Sequence, residues 1–302
     1  MIPQFPAFKN IEISDEKDIN AFVKNAALPP YSDFCFVNMW IWNTAGKLMI
    51  SQLHGNLVVL FSDYASGVPL LSFIGKSELG KTASQLLQFL DKNHLPPQLK
   101  LIPKEIADEL TEGGFKVEPD EDSHDYVYLV ENLADMDKWH KSTKSKNIRR
   151  FIKKNPGYKV VHVSLDELPA EELKALFWKW SDNKGISNVC ELNEYKAFER
   201  LLQIDHKNIK IVLLYMSEKL VGFTVYERVP DGEFALSRFA KADVTIDASI
   251  YDILNWEEAK VLKREKIVYY NWEQDLGIPG LRYSKEKYRP ILRLKKFTVE
   301  PV

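Results

Sequence analysis

The feature that most constrains the fold of this chain is a series of predicted elements that occurs twice in the same order. In each half, hydrophobic periodicity predicts two helices, three strands, a third helix and a fourth strand. The helices are predicted at residues 14–27, from Ser32 onward, and at 78–93, 169–180, 194–206 and 247–264; the strands are predicted at 47–53, 57–62, 69–74, 99–102, 209–215, 220–228, 233–240 and 267–271. Turn residues at 54–56, 217–218 and 230–232 separate neighbouring strands. The nearly constant offset between corresponding elements predicts the duplication of one fold.

Each half is similar to the acetyltransferase (GNAT) topology, in which three antiparallel strands are followed by a helix and a further strand. We therefore expect an α/β (α+β) chain of tandem duplicated GNAT-like domains, with mixed, mostly antiparallel sheets flanked by helices. The predicted domains are residues 1–135 and 136–302. The second is predicted to carry the site, because its last strand leads into the segment richest in charged and aromatic residues.

Composition limits the classes of function. With 302 residues, of which 45% are hydrophobic, the chain can form two packed cores. A formal net charge of −2 gives no overall attraction to nucleic acid or anionic membrane, so any anion must be bound by local clusters of Lys and Arg. Cys35 and Cys190, one in each half, favour a reducing compartment. Residues 1–10 do not resemble an export signal, and no apolar run approaches roughly 18 residues, so we expect a cytoplasmic protein without a transmembrane segment.

The stretch from Gly75 to Thr82 matches the pattern of a phosphate-binding loop. It follows a predicted strand and precedes a predicted helix, with Lys81 placed for nucleotide phosphates and Thr82 for magnesium. The preceding strand, however, belongs to an antiparallel hairpin, and the next strand ends in Pro103 and not in an Asp. This stretch therefore has two interpretations. It is either a nucleotide-binding loop, which gives an alternative function for the chain, or the start of a helix capped by Ser77, which has only a structural role.

A basic stretch covers residues 138–154, which contain no acid. Lys144, Arg149 and Arg150 in it are candidate ligands for an anion such as RNA or a phospholipid head group. The same stretch also has the pattern of an amphipathic linker helix, because Ile148 and Phe151 fall on one side of it. Both interpretations remain open, and with them a non-catalytic module that binds RNA or another anion.

The segment 269–297 carries the strongest candidates for a site. Gly277, Pro279 and Gly280 predict a shaped loop after a strand. Glu273 and Asp275 offer carboxylates for a general base or for a substrate amine. The donors available for a phosphate or carboxylate are Arg282, Lys285, Lys287 and Arg289. Trp272 and Tyr288 are expected either to contact the substrate or to lie in the core.

Other catalytic and metal-binding patterns are not found in the sequence. The six histidines show no metal-ligand spacing with one another or with a cysteine, so no metal site is predicted. No Gly-x-Ser-x-Gly pattern of a serine hydrolase occurs. The residues define neither a cofactor nor an oligomeric state.

Three stretches resemble a soluble family related to the C-terminal domain of the phosphatidylglycerol lysyltransferases, which has a tandem GNAT-like fold and is related to Fem-type aminoacyl-tRNA-dependent transferases. These stretches are residues 31–42, with Tyr-Ser-Asp-Phe and Asn-Met-Trp-Ile-Trp, residues 125–128, Asp-Tyr-Val-Tyr, and residues 271–282, Asn-Trp-Glu-Gln-Asp-Leu-Gly-Ile-Pro-Gly-Leu-Arg. The likeness extends over nearly the whole chain.

This resemblance implies transfer of an activated acyl or aminoacyl group to an amine or hydroxyl, with tRNA as a partner and aminoacyl-tRNA as the donor. It also implies that Arg238, Lys285 and Lys287 bind the phosphate of an anionic small molecule or lipid head group. Acetyl-CoA is disfavoured, because residues 241–249, where acetyltransferases have a glycine-rich turn, contain no glycine.

Overall fold

The structure is a computed structural model that describes residues 1–62, 67–186, 188–230 and 232–301. Asp231, part of the turn predicted at 230–232, lies outside the described residues. No helix in the described ranges is both long and apolar enough to span a bilayer.

Helices and strands are mixed along the described residues. The helices are α1 (Glu16–Ala26), α2 (Phe36–Trp42), α3 (Leu79–Lys92), α4 (Lys104–Glu112), α5 (Val130–Ala134), α6 (Thr143–Lys154), α7 (Ala170–Asn183), α8 (Asn193–Leu201), α9 (Ile250–Arg264) and α10 (Pro279–Glu286). The strands are β1 (Lys9–Asn10), β2 (Met49–Leu53), β3 (Asn56–Ser62), β4 (Pro69–Ile74), β5 (Leu99–Pro103), β6 (Lys116–Pro119), β7 (Asp125–Leu129), β8 (Lys159–Ser164), β9 (Ile209–Met216), β10 (Lys219–Arg228), β11 (Phe234–Ala242), β12 (Tyr269–Asn271), β13 (Leu292–Leu294) and β14 (Lys296–Glu300).

Both predicted series are present, with one difference at the second helix. A 3₁₀ turn occupies Ser32–Phe34, and α2 begins only at Phe36. Ser32 does not cap this helix, because it is fully buried and its hydroxyl donates to Oδ1 of Asp125 at 2.7 Å. The hydroxyl of Ser32 therefore binds a residue that is distant in sequence.

The chain forms two compact units that are discontinuous in sequence. The first unit comprises Met1–Asp125, Gln274–Ser284 and Arg293–Val302, and the second comprises Tyr126–Glu273 and Lys285–Leu292. The domain boundary after residue 135 stays a prediction, but two late segments of the chain belong to the first unit.

The sheet of the first unit has the strand order β1-β2-β3-β4-β5-β14-β6. Its strands pair antiparallel except β4 and β5, which are parallel and connected through α3. In β14, Lys296 is fully buried, and its Nζ lies against the carboxylates of Asp33 and Asp125, the second at 2.7 Å. A buried ion-paired lysine thus fixes β14 in this sheet.

The other sheet has the order β13-β7-β12-β11-β10-β9-β8. Its parallel pair is β11 and β12, connected through α9, so the arrangement of the first sheet occurs again. Helix α9 packs against β10 at Gly222, where a Cβ atom would lie 2.6 Å from Cδ1 of Leu254 and 3.1 Å from Cγ2 of Ile250. A side chain at this position would require Leu254 to shift.

Candidate functional site

The candidate site of the second unit lies where β12 ends beside a longer β11. The two strands pair in parallel from Phe234 with Tyr269 to Leu236 with Asn271, after which β11 continues to Ala242 beside β10. In open α/β sheets, ligands bind beyond the carboxyl ends of parallel strands. Arg238 and the loop that begins at Trp272 occupy this position.

Arg238 is held between two carboxylates. Its side chain is fully buried, and its Nε and Nη2 donate to Oε2 of Glu227 on β10 at 3.1 and 2.5 Å. Its Nη1 donates to Oε1 of Glu273. The three side chains carry a formal charge of −1, so a phosphate would have to compete with both carboxylates for this guanidinium. Phosphate binding by Arg238 stays a prediction.

Glu273 combines an unusual backbone with a partly accessible carboxylate. Its φ is +59°, a left-handed conformation that non-glycine residues seldom adopt and that is enriched at functional sites. Its amide donates to Oδ1 of Asn271 at 2.7 Å, and its carbonyl accepts the amide of Tyr126 at 3.1 Å. The side chain is 18% exposed. The loop therefore holds Glu273 rigidly while leaving its carboxylate within reach of a ligand.

Lys285 contacts this loop, and its predicted role in binding phosphate stays a prediction. It is buried, and its Nζ donates to the carbonyls of Trp272 and Glu273 at 2.5 and 3.1 Å. The hydroxyl of Tyr128 donates to the carbonyl of Lys285 at 2.9 Å. The ammonium thus caps two carbonyls of the turn that carries Glu273.

Trp272 and Tyr288 belong to an aromatic cluster in the second unit. The ring centroid of Trp272 is 4.3 Å from that of Tyr128 and 4.8 Å from that of Tyr288. The hydroxyl of Tyr288 donates to Asp252 at 2.7 Å, and Lys144 donates to the same oxygen at 2.7 Å. Tyr288 is therefore a core residue, and Lys144 is held by an ion pair within its own unit.

Asp275 and Arg282 form an ion pair in the first unit. Asp275 is fully buried; it accepts Nε and Nη2 of Arg282 at 2.7 and 3.0 Å and the amide of Gly277 at 2.9 Å. Arg282 also donates to Asp122 at 2.6 Å. These contacts fix the turn before α10. A catalytic role for Asp275 stays a prediction, and both of its oxygens are engaged.

Arg289 lies over the ring of Trp139, with its Cζ 4.3 Å from the ring centroid. It lines a cavity of about 320 Å³ together with Asn132, Asp135, Lys138 and Trp139. Lys287 is exposed. In α6, Arg149 is exposed, and Arg150 donates to the hydroxyl of Ser249 at 2.6 Å. The structure therefore brings Glu273, Arg238 and Lys285 together and distributes the other predicted residues over different environments.

The predicted phosphate loop does not have the arrangement that nucleotide binding needs. Thr82 is fully buried, and its hydroxyl accepts Nδ2 of Asn56 at 2.9 Å, so it does not face a magnesium ion. The amide of Ser77 donates to Oδ1 of Asn56 at 3.1 Å, and Lys81 pairs with Glu78. A Cβ atom on Gly75 would lie 2.0 Å from the same Asn56 oxygen. The glycine thus makes room for Asn56, which contradicts the nucleotide-binding alternative.

Two buried acids of the second unit were missed from the sequence. Glu227 interrupts the apolar run of β10, a signal that could have marked it. Glu258 on α9 is 1% exposed, with the hydroxyls of Thr224 and Tyr270 beside it, and burial raises its pKa to about 7. Within the described ranges, no hydrogen bond of good geometry reaches Oε1 of Glu258, the hydroxyl of Tyr270 or that of Thr224.

The two sheets, each with a parallel pair joined through a helix, define a tandem GNAT-like α+β protein, and the fold class expected from the sequence is confirmed. The chain belongs to the family described as phosphatidylglycerol lysyltransferase, C-terminal, whose model matches residues 25–300. The family resemblance seen in the sequence is thereby confirmed.

Solved structures agree with this assignment. A conserved protein of unknown function from Bacteroides thetaiotaomicron VPI-5482 is 25% identical, with a TM-score of 0.79 and 100% of each chain covered. L-PGS from Bacillus licheniformis is 13% identical, with a TM-score of 0.64, over 99% of this chain and 93% of that one. FemX is 10% identical, with a TM-score of 0.59, over 97% and 96%. No curated protein matches the sequence significantly.

Proposed function

We propose that this chain transfers an aminoacyl group from aminoacyl-tRNA to an amine or hydroxyl acceptor, with Glu273 at the reacting centre. The observation that carries the proposal is the state of Glu273: a partly exposed carboxylate on a left-handed backbone, bound by a buried arginine at the carboxyl end of the parallel pair. The family and the fold shared with FemX support transfer chemistry at this place. The resemblance to Fem-type transferases supports the choice of donor.

The chemistry needs little more than positioning and one proton acceptor. The acceptor's amine or hydroxyl attacks the ester carbonyl, a bond forms to the carbonyl carbon, and the bond to the ribose oxygen of the tRNA breaks. Glu273 takes the proton from the attacking group and returns it to the leaving oxygen. General-base assistance of this kind contributes typically about 10²–10⁴-fold, and alignment of an already reactive ester contributes much of the rest.

Arg238 serves this step through Glu273. The guanidinium contacts the Glu273 carboxylate and so fixes where this carboxylate lies. Glu227 holds the other side of the same guanidinium and so fixes its orientation. Neither residue needs to touch the substrate.

The start of α9 supports a donor other than acetyl-CoA. In acetyltransferases, free amides at this helix start face the pyrophosphate. Here the amide of Ser249 donates to Oδ1 of Asp247 at 2.8 Å, so a carboxylate already lies where an anion would bind. A second anion would be repelled.

The test is incubation with a pool of charged tRNAs and cell extracts of lipids and peptides, followed by mass spectrometry of the adduct. We expect Glu273→Gln to lower the rate about 100-fold or more, because an amide cannot accept the proton. Its melting temperature should change little, since Arg238 keeps Glu227. Glu218→Gln, at a side chain that is 80% exposed, is the matched control and should transfer normally.

Wild-type rates in Glu273→Gln would refute the assignment of this residue. RNA binding by the wild type without any adduct from the whole tRNA pool would favour the alternative of a non-catalytic RNA-binding module. Asp275→Asn separates the two predicted carboxylates, because loss of stability with a normal rate per folded molecule would show a purely structural Asp275.

A further inference from the structure

Helix α6 separates its apolar and charged side chains on opposite faces. Ile148 and Phe151 are fully buried in the core of the second unit. Lys146, Arg149 and Lys153 are exposed. The helix contains no acidic residue, so its own neighbours in sequence cannot neutralise these cations.

The cations of α6 fall into two groups. Lys144 pairs with Asp252 at 2.7 Å, and Arg150 and Lys154 each lie 3.7 Å from Asp247. Within the part of the chain that the structure describes, Lys146, Arg149 and Lys153 have no carboxylate partner. We call these three residues the cationic row.

The spacing of the cationic row puts its members on one line along the helix. Positions three and four residues apart are neighbours on a helix surface, and the row extends about 10 Å at 1.5 Å per residue. Like charges at this spacing repel one another and disfavour the helix. A polyanion laid along the row would convert this repulsion into attraction.

The structure favours nucleic acid over a membrane as this polyanion. A helix that binds a bilayer surface inserts exposed apolar side chains between the lipids. On α6 Ile148 and Phe151 are buried in the protein core, whereas Lys146, Arg149 and Lys153 are exposed. With phosphates about 3.4 Å apart along each strand axis, a row of about 10 Å covers roughly three of them.

We infer that the cationic row binds the phosphate backbone of an RNA, without regard to base sequence. The choice of RNA rests on the proposed function; the charge pattern of α6 stands without it. The contact positions the RNA and contributes no chemistry.

The experiment measures binding of fluorescently labelled, deacylated tRNA by anisotropy at several salt concentrations. The test variant is Lys146→Gln with Arg149→Gln and Lys153→Gln. The control is Lys81→Gln with Lys104→Gln and Lys116→Gln, which removes the same number of positive charges from side chains 73%, 49% and 53% exposed. Three lost single-strand contacts should reduce the slope of log K against log salt by about 2 and weaken binding at least 10-fold.

The control should bind like the wild type, and both variants should keep the wild-type melting temperature because every changed residue is on the surface. Equal weakening in both variants would overturn the inference, since net charge alone would then be responsible. Row-dependent binding to phosphatidylglycerol vesicles with no binding to tRNA would overturn the choice of RNA.

Glu273→Gln separates this inference from the proposed function. Row-dependent tRNA binding in that variant, with transfer lost, supports both. Row-dependent binding by a wild type that never forms an adduct supports the inference and refutes the transfer. Transfer that continues undiminished in a row variant with unchanged tRNA affinity refutes the inference alone.

Discussion

Glu258 is a carboxyl group in an environment that favours its protonated form. It lies inside the second unit with the hydroxyls of Thr224 and Tyr270, and burial raises its pKa from 4.5 to about 7. Between these two values the folded protein keeps the proton while the unfolded chain releases it. The free energy of unfolding therefore falls as the pH rises through this window.

We predict that Glu258→Gln removes this dependence. An amide cannot ionise, so the variant should lose less stability than the wild type between pH 5 and pH 7, by about 2–3 kcal/mol. Chemical denaturation at both pH values measures the difference. Glu218→Gln, at an exposed position, should keep the wild-type dependence. Parallel curves for Glu258→Gln and the wild type would show that Glu258 is ionised in the folded protein.

At the residue level, the sequence indicated which side chains could take part in catalysis or binding, but not which of them contact one another. Glu273 and Asp275 are two positions apart, yet one is partly exposed and the other is fully buried against Arg282. No sequence pattern shows that the ammonium of Lys285 reaches two carbonyls of an earlier turn. Local sequence predicts the candidates, whereas burial and long-range partners decide their roles.

Among the elements, the contact of α9 with β10 depends most on a single position. The pairing of β10 with β9 shifts between Leu220 and Gly222, and at Gly222 a Cβ atom would lie 2.6 Å from the Leu254 side chain. We predict that Gly222→Ala costs about 1–3 kcal/mol, because the buried Leu254 side chain must shift in a packed core. Thermal or urea unfolding measures the loss.

Gly232→Ala offers the comparison for that substitution. Around Gly232 a Cβ atom would meet its nearest neighbour, Cγ1 of Val229, at 3.5 Å, an ordinary contact. The stability of the Gly232→Ala variant should therefore stay close to that of the wild type. An equally stable Gly222→Ala would mean that α9 adapts without cost.

The order of the helices and strands could be predicted because hydrophobic periodicity and turn residues are properties of the local sequence. The hairpin of β2 and β3 and the succession β11, α9, β12 follow directly from them. The position of β14 between β5 and β6 does not, because its partners lie almost two hundred residues earlier. Short strands such as β1 and β13 also carry too few residues for a periodic signal.

For the whole molecule, Lys296 links a late segment to the early part of the first unit. We predict that Lys296→Met destabilises this unit by about 3–5 kcal/mol, because Asp33 and Asp125 would remain buried without a cation. Hydrogen exchange should show faster exchange in β5 and β14. The control is Lys295→Met, because Lys295 is the exposed neighbour of Lys296. In this variant the amides of β5 and β14 should exchange at the wild-type rate. Unchanged protection in Lys296→Met would show that the two acids are protonated.

The position of β14 between β5 and β6 also affects folding of the chain during translation. During translation, β5 and β6 are synthesised long before the strand that lies between them. Until residue 300 leaves the ribosome, both present unpaired backbone groups that another chain could bind. A chain truncated before β14 would therefore keep both strands unpaired on these sides and would be prone to aggregate.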